Sequence, residues 1–464
     1  MSKKNSYITV TDQFCGAGGS SQGVRRLANK NGGGVEVRLA MNHWKLAIET
    51  HNTNFPDTLH DCTDISACAP RRYPSTNILI TSPSCTTHTP SGGNHHKALK
   101  LQMDMFTSQK IDPATERSRA TMWDVCRFAE YHNYEAIILE NVVEAKTRWP
   151  LFDVWLTAMH TLGYHHKCVY LNSMHCHPTP QSRDRMYVVF WKKGNKAPDL
   201  DITPLAHCPK CCKDVHAIQT WKHPLKRFGK YNKQYVYCCP NDGAIVEPYY
   251  YAAFNIIDWS DQGKRIGDRP KDLSPVTKKR VLHGLAKYKD EPFFLHAAYS
   301  DHARGVVRPM VRPLFTQTTL SSQALVVPPF IIKGGQTSQP GYAKSVGEAL
   351  YTQETWQNMA VVSDESFKSF LASYNTTGHS TSYFTQSTGT ITTTDRLALI
   401  NYKTPKYEDC YYRMLKAREV KLGMAFDDEY KICGSPKEQV MQCGNAVTPP
   451  AMELLMERVV NSLK

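Results

Sequence analysis

Ile8-Thr9-Val10-Thr11-Asp12-Gln13-Phe14-Cys15-Gly16-Ala17-Gly18-Gly19 joins a strand to a helix through a glycine-rich turn. Its first four residues are a short run of β-prone residues, and a helical stretch from Ser21 to Asn29 follows the glycines. Glycines between a strand and a helix let the backbone come close to a ligand at the helix N-terminus. Any nucleotide-type cofactor could use such a turn, and tight turns use glycines as well.

Outward from this turn, strands and helices alternate over the first 195 residues. Glu36 to Ala40 is strand-like and His43 to Asn52 helix-like. Asn77-Ile78-Leu79-Ile80-Thr81 reads as a buried strand, Ala114 to His132 as a helix opened by Asp112-Pro113, and Ala136 to Leu139 and Arg185 to Phe190 as further buried strands. Continuous apolar strands alternating with helices predict a parallel sheet covered on both faces. Ligands bind such open α/β sheets at the C-terminal strand ends.

The character changes after Gly194. Residues 205 to 245 are rich in cysteine, lysine and aromatic residues, and 255 to 400 in Thr, Ser, Gln and Tyr. A degenerate repeat of about 36 to 38 residues runs through the latter. Leu314 to Thr319 leads to Ala324-Leu325-Val326-Val327, Leu350 to Thr355 leads to Met359-Ala360-Val361-Val362, and Thr390 to Thr394 leads to Leu397-Ala398-Leu399-Ile400. Each copy reads as a β-hairpin. Helical patterning returns in Tyr412 to Gly423 and Pro450 to Leu463.

The chain has 464 residues, 15 cysteines and a formal net charge of +14. That length buries a large core without disulfides, and free thiols, a metal site and a catalytic thiol account better for the cysteines. The positive charge suits a polyanionic partner. No apolar run is long enough to span a membrane. Met1 to Asn5 leads straight into the first strand with no signal-peptide region, so a cytoplasmic protein is expected.

Five local features bear chemistry. Besides the glycine turn, these are Pro83-Ser84-Cys85 after a buried strand, where a thiol can act as a nucleophile once deprotonated, and Glu140-Asn141-Val142, where an acid leaves an apolar strand and can serve as a general acid. Gln181-Ser182-Arg183-Asp184-Arg185 puts two arginines at strand alternation, able to clamp an anion or a base. Gln442 to Pro450 reads as a turn before the last helix. Taken singly, each also fits a structural role.

Together and in order, these features resemble the DNA cytosine-5 methyltransferase family, as a divergent bacterial or phage-type member. The resemblance covers nearly the whole chain, and Arg413 to Glu419 resembles a sixth motif. It implies a Rossmann-like S-adenosylmethionine-dependent methyltransferase domain of the α/β class over residues 1–200, completed by 401–464. A zinc-ribbon-like insert over 201–250 and a mostly β target-recognition region over 251–400 complete the expected layout. The resemblance makes Cys85 the nucleophile that attacks C6 of cytosine. Glu140 becomes the acid at N3, and Arg183 and Arg185 hold the base, Arg185 at the ring oxygen. S-adenosylmethionine would lie against Phe14, Gly16, Gly18, Gly19, Asn42, Asp64, Ile65, Pro83, Asn445 and Val447. The partner implied is double-stranded DNA with the target base flipped out, beneath a loop from Thr86 to about Arg119. The protein would act as a monomer beside a cognate restriction enzyme, in a bacterial cell or a phage-infected host. Three positions depart from the family: Ser84 and Thr86 flank the cysteine, Asn42 stands where an acid binds the ribose, and Ala417 replaces a common proline.

Cys208-Pro209-Lys210-Cys211 and Cys238-Cys239-Pro240-Asn241-Asp242 resemble the two knuckles of a zinc ribbon. Structural zinc would be held by Cys208, Cys211, Cys239 and either Cys238 or Asp242. Lys222, Lys226, Arg227, Lys230 and Lys233, interleaved with Trp221, Phe228, Tyr231 and Tyr235, form a candidate patch for the DNA backbone. The competing class is a catalytically silent DNA-binding relative, against which the retained Cys85, Glu140 and Arg185 argue.

Overall fold

The computed structural model describes residues 7–83, 113–288, 292–296, 307–320, 322–328 and 406–464, together with short strands between 330 and 401. The chain divides into two compact units. One holds residues 1–251, 316–321 and 416–464, and the other 252–315 and 322–415. Residues 316–321 thus belong with the first unit and 401–415 with the second.

The first unit is built on β1 (Ile8–Gln13), α1 (Gly19–Asn31), β2 (Val35–Asn42), α2 (Lys45–Asn54), β3 (Leu59–Cys62), β4 (Ile78–Thr81), α3 (Pro113–His132), β5 (Ala136–Asn141), α4 (Glu144–Arg148), α5 (Phe152–Thr161), β6 (Tyr164–Asn172) and β7 (Asp184–Lys192). These strands form one sheet in the order β3-β2-β1-β4-β5-β7-β6. It is parallel except at β7, which runs antiparallel to both β5 and β6. The sheet is α/β and mostly parallel, with the reversed strand as the difference from an all-parallel expectation.

Both faces are buried in the middle of the sheet, where Ile78 to Ile80, Ala136 to Leu139 and Met186 to Phe190 are continuous apolar runs. Ile78, Ile80, Ile138 and Val189 face α1 and the C-terminal helix, while Leu79, Ile137, Leu139 and Phe190 face α3 and α5. Truncating one such side chain to alanine costs about 2–5 kcal/mol.

Residues 205–246 form β8 (Leu205–Cys208), β9 (Lys213–His216), β10 (Ile218–Trp221), β11 (Tyr235–Cys238) and β12 (Ile245–Val246). They make a two-stranded β8-β9 hairpin and a β10-β11-β12 sheet.

The second unit contains β13 (Lys264–Arg265), α6 (Pro275–Tyr288), β14 (Phe293–His296), β15 (Val307–Pro309), β16 (Gln323–Val327), β17 (Phe330–Lys333), β18 (Ala343–Ser345), β19 (Met359–Val362), β20 (Ser369–Ser373), β21 (Thr381–Ser382), β22 (Leu397–Asn401) and β23 (Tyr411–Met414). The strand order β15-β14-β16 recurs as β18-β17-β19 and as β21-β20-β22. The repeating unit is therefore a three-stranded antiparallel sheet rather than a hairpin. Its third strands, β16, β19 and β22, coincide with the apolar runs that mark the repeat in the sequence.

Tyr412 to Met414, expected as helix, belong to the strand β23, which pairs with β13 and β16. The helix starts only after Lys416, where the Glu419 side chain reaches back to the Lys416 backbone, and becomes α7 (Ala417–Gly423). It is followed by α8 (Pro436–Asn445) and α9 (Pro449–Leu463). Gly444 and Asn445 thus end a helix and are not a free turn. Among the described residues no helix is long and apolar enough to cross a membrane.

Candidate active site

The order of the sheet reverses between β1 and β4, which is where open α/β sheets bind ligands. The Ser82 N–H donates to the Gln13 carbonyl (3.2 Å), so the chain past β4 still follows β1 as far as Pro83. Asn141, at the end of β5, donates through Nδ2 to the Pro83 carbonyl (3.3 Å) and accepts the Val142 N–H (2.8 Å). Pro83 is thus pinned from the neighbouring strand. Cys85 and the loop 84–112 lie outside the described residues.

The reversal of β7 brings the acid and an arginine together. An antiparallel strand starts at the edge where β5 ends, and Glu140 pairs in register with Tyr187. Arg185, two residues earlier on the same face, reaches Glu140 with Nε at 2.8 Å from Oε1. Arg185 also donates to the Asp184 carbonyl (2.8 Å). Both side chains of the ion pair are mostly buried, at 12% and 11% exposure. Burial pushes the Tyr187 phenol well above its ordinary value, so it stays neutral beside them.

Arg183 sits elsewhere. Its guanidinium donates to the carbonyls of Gln317, Gly444 and Ala446, each at 3.1 Å. Gln181 accepts the Gln317 N–H (3.3 Å) and donates to the Gly423 carbonyl (3.5 Å). These two residues clasp the closing segment to the sheet. The two arginines have different partners, although strand alternation suggests a shared one. Arg183 precedes β7 and is buried among backbone carbonyls, and only Arg185 joins Glu140.

The glycine turn is left-handed at Phe14 (φ 56°), Gly16 (φ 52°) and Gly18 (φ 83°). A non-glycine residue at positive φ is strained, a feature that concentrates at ligand sites. α1 starts on Gly18 with no side-chain cap, leaving its first N–H groups to another partner. A Cβ at Gly16 would meet only the Phe14 carbonyl at 3.9 Å, so the turn borders open space. Asp12 Oδ1, Gln13 Nε2 and both polar atoms of the Gln22 side chain are buried without a partner among the described residues. These are the properties of a cradle for a polar, nucleotide-like group. Asn42 closes β2 and accepts the Trp44 N–H (2.9 Å). Asp64 is exposed and caps the short 3-10 turn of buried Ile65. Val447 is buried and Asn445 exposed. A Cβ at Gly19 would run into the Val447 carbonyl, so the closing segment lies directly on the start of α1. Tyr430 donates to the Ala17 carbonyl (2.6 Å) and braces the turn from the other side.

A chain of hydrogen bonds without any sequence signal starts at Asp12. Ser21 donates to Asp12 Oδ2 (2.7 Å), His51 Nε2 lies 2.9 Å from Ser21 Oγ, and His60 Nε2 lies 2.8 Å from His51 Nδ1. Burial raises Asp12 to about 7 and lowers His51 to about 3. These residues come from β1, α1, α2 and β3, and only the folded sheet unites them.

In the insert, Cys208, Cys211, Cys239 and Asp242 gather their ligand atoms within 4.8 Å of one another. Cys238 stands outside this group. It ends β11 and pairs with Ile218 and Ile245, so adjacent Cys238 and Cys239 point to opposite sides. Of the aromatic residues in the basic patch, Trp221 and Phe228 are half-buried. Tyr231 and Tyr235 are buried, and Lys230 pairs with Glu144 at 2.6 Å. Lys222, Lys226, Arg227 and Lys233 remain exposed.

The profile of the C-5 cytosine-specific DNA methylase family matches residues 8–227 and 329–461. No curated protein sequence matches the chain. Among solved structures, the chain is similar to a mutant of Spodoptera frugiperda DNMT2, with 12% identity, 98% of this chain and 99% of that one covered, and a TM-score of 0.46. It is similar to the Entamoeba histolytica methyltransferase EhMeth, with 12% identity, the same coverage and a TM-score of 0.47. It is also similar to a putative DNA modification methyltransferase encoded within an Escherichia coli prophage, with 13% identity, the same coverage and a TM-score of 0.45.

Proposed function

The chain belongs to the C-5 cytosine-specific DNA methylase family, and from that membership we propose that it methylates C5 of a flipped cytosine in double-stranded DNA, using S-adenosylmethionine and a covalent adduct to Cys85. The observation that carries this reading is the Glu140–Arg185 ion pair, held at the strand ends beside the pinned Pro83.

Cytosine C5 is a weak nucleophile. Attack of the Cys85 thiolate on C6 makes C5 enamine-like. Glu140 supplies a proton at N3 as charge develops there. Arg185 fixes the Glu140 carboxyl and faces the ring oxygen. S-adenosylmethionine, when bound, supplies an electrophilic methyl group. Phe14, Gly16 and Gly18 would hold its amino-acid and adenine side, with Asp64 at the adenine amine and Val447 closing the pocket. After transfer a base takes the C5 proton, the Cys85–C6 bond breaks and the thiolate is restored. Asn42 in place of an acid leaves the ribose with a neutral partner.

Exposed lysines and the net charge of +14 support binding to the phosphate backbone. The sheets repeated between 293 and 401 are the proposed reader of target sequence. Protection of host or phage DNA from a restriction enzyme is the setting that suits such an enzyme. Incubation with labelled S-adenosylmethionine and either genomic DNA or RNA tests the reading: 5-methylcytosine is expected in DNA. Label in RNA alone, or in neither by folded protein, overturns it.

A further inference from the structure

We propose that the insert over residues 205–246 holds one structural zinc ion on Cys208, Cys211, Cys239 and Asp242, and that this ion locks the insert onto the strand that carries Arg185.

The four donor atoms lie within 4.8 Å of one another, close enough to share one ion. Zinc–sulfur bonds of about 2.3 Å place two thiolates about 3.8 Å apart, and zinc–carboxylate bonds are slightly shorter. Cys211 Sγ and Cys239 Sγ are 3.7 Å apart. Asp242 Oδ2 lies 3.3 Å from Cys208 Sγ and 2.9 Å from Cys211 Sγ.

The two turns that supply these atoms have one design. In each, a cysteine at a strand end is followed by proline, one further residue, a second ligand and a left-handed residue. Cys212 (φ 53°) follows Cys211, and Gly243 (φ 71°) follows Asp242. The first turn joins β8 to β9 and the second joins β11 to β12. The Cys211 N–H donates to Cys208 Sγ (3.4 Å). The Asp242 Oδ1 atom accepts the Ala244 N–H (2.8 Å), which leaves Oδ2 aimed at the sulfurs. Asp242 therefore occupies the place of a fourth cysteine in an intact knuckle. Three thiolates select a soft or borderline ion, which excludes magnesium and calcium, and four-coordinate sulfur-rich geometry suits zinc.

The body of the insert packs into the core of the catalytic unit through Ala206, Ala217, Tyr235 and Tyr237, but its two turns hang on short strands. Its strands have two to four residues, and short isolated hairpins are marginal in water. Yet it touches the catalytic strands. The Tyr231 N–H donates to Asp184 Oδ1 (3.0 Å), between Arg183 and Arg185. Lys230 pairs with Glu144 just after the strand that bears Glu140. Tyr231 and Tyr237 pack edge-on against His175 with centroids 4.6 and 5.1 Å away. A metal that orders the turns also fixes these contacts.

Elemental analysis of the purified full-length chain tests the assignment without reference to methyl transfer. About one zinc per chain is expected. Asp242→Ala should weaken zinc retention against a competing chelator by more than the about 10–100-fold that loss of an outer-shell partner costs, while Asp242→Cys should retain the ion at least as well as the parent. Chelation should raise hydrogen exchange at residues 205–246 and at 184–186, leaving β1 and β4 protected. Folded protein without zinc, iron in its place, a Cys211–Cys239 disulfide, or unchanged retention in Asp242→Ala would each overturn the proposal. Should Asp242→Ala fail to fold, the Asp242→Cys comparison and the metal content of the parent still decide it.

Discussion

Arg185 Nε lies 2.8 Å from a carboxylate oxygen of Glu140, and the antiparallel course of β7 makes that contact possible. A parallel strand in the same place would start at the opposite edge of the sheet. The pair is mostly shielded from water, where a general acid and its partner act most strongly. Glu140→Gln keeps the shape and removes the proton. Methyl transfer is expected to fall by about 10²–10⁴-fold, with DNA binding by a gel-shift titration close to the parent's. Turnover within a few-fold of the parent would remove Glu140 from the chemistry.

The two arginines of the same motif separate in experiment as they do in space. Arg183 spans three backbone carbonyls in the core. A lysine there cannot reproduce the fork, and each buried carbonyl left unpaired costs about 1–3 kcal/mol. Arg183→Lys should lower the apparent melting temperature clearly. Arg185→Lys keeps a charge beside Glu140 but loses the planar donor, so turnover should drop more than melting temperature. Melting curves and initial rates on the same preparations check the contrast.

Gly23 lies where α1 meets α9. A Cβ there would stand 2.7 Å from the Pro449 carbonyl and 2.8 Å from Met452 Cβ. Alanine gains up to about 1 kcal/mol of helix propensity, but overpacking against backbone costs about 1–3 kcal/mol. Gly23→Ala should therefore destabilise the protein in a denaturant titration. A higher unfolding midpoint would mean that α9 yields easily.

The middle of the sheet was legible because Ile78 to Ile80, Ala136 to Leu139 and Met186 to Phe190 are continuous apolar runs. Ile137, Ile138 and Leu139 have no polar face to confuse the reading, and the turn at Gly16 and Gly18 marks where the first strand ends. The direction of β7 was not legible, since an apolar strand looks the same in either direction. Nor was β6, whose first half, Tyr164 to Cys168, is polar and half-exposed. The same limit applies within the site. Motif order singled out Glu140 and Arg185, but spacing could not tell that Arg183 turns to backbone carbonyls contributed by residues 317, 444 and 446. In the insert, sequence left Cys238 and Asp242 open, and strand alternation at β11 gives the place to Asp242.

Asp12 offers a test in pH. It is buried, its Oδ1 has no partner among the described residues, and burial lifts it from 3.8 to about 7 against the opposing hydrogen bond from Ser21. The folded protein thus keeps this proton more tightly than the unfolded chain. The stabilisation is fully present below the unfolded value of 3.8 and is lost as pH rises through about 7. From pH 5 to pH 8 the parent should lose about 2–3 kcal/mol through this group alone. Asp12→Asn keeps an acceptor for Ser21 and cannot ionise. Its stability relative to the parent should therefore rise steadily across that window, in urea titrations at matched ionic strength. A difference that stays flat from pH 5 to pH 8 would show that Asp12 is ionised throughout, with its charge met by the Ser21–His51–His60 chain.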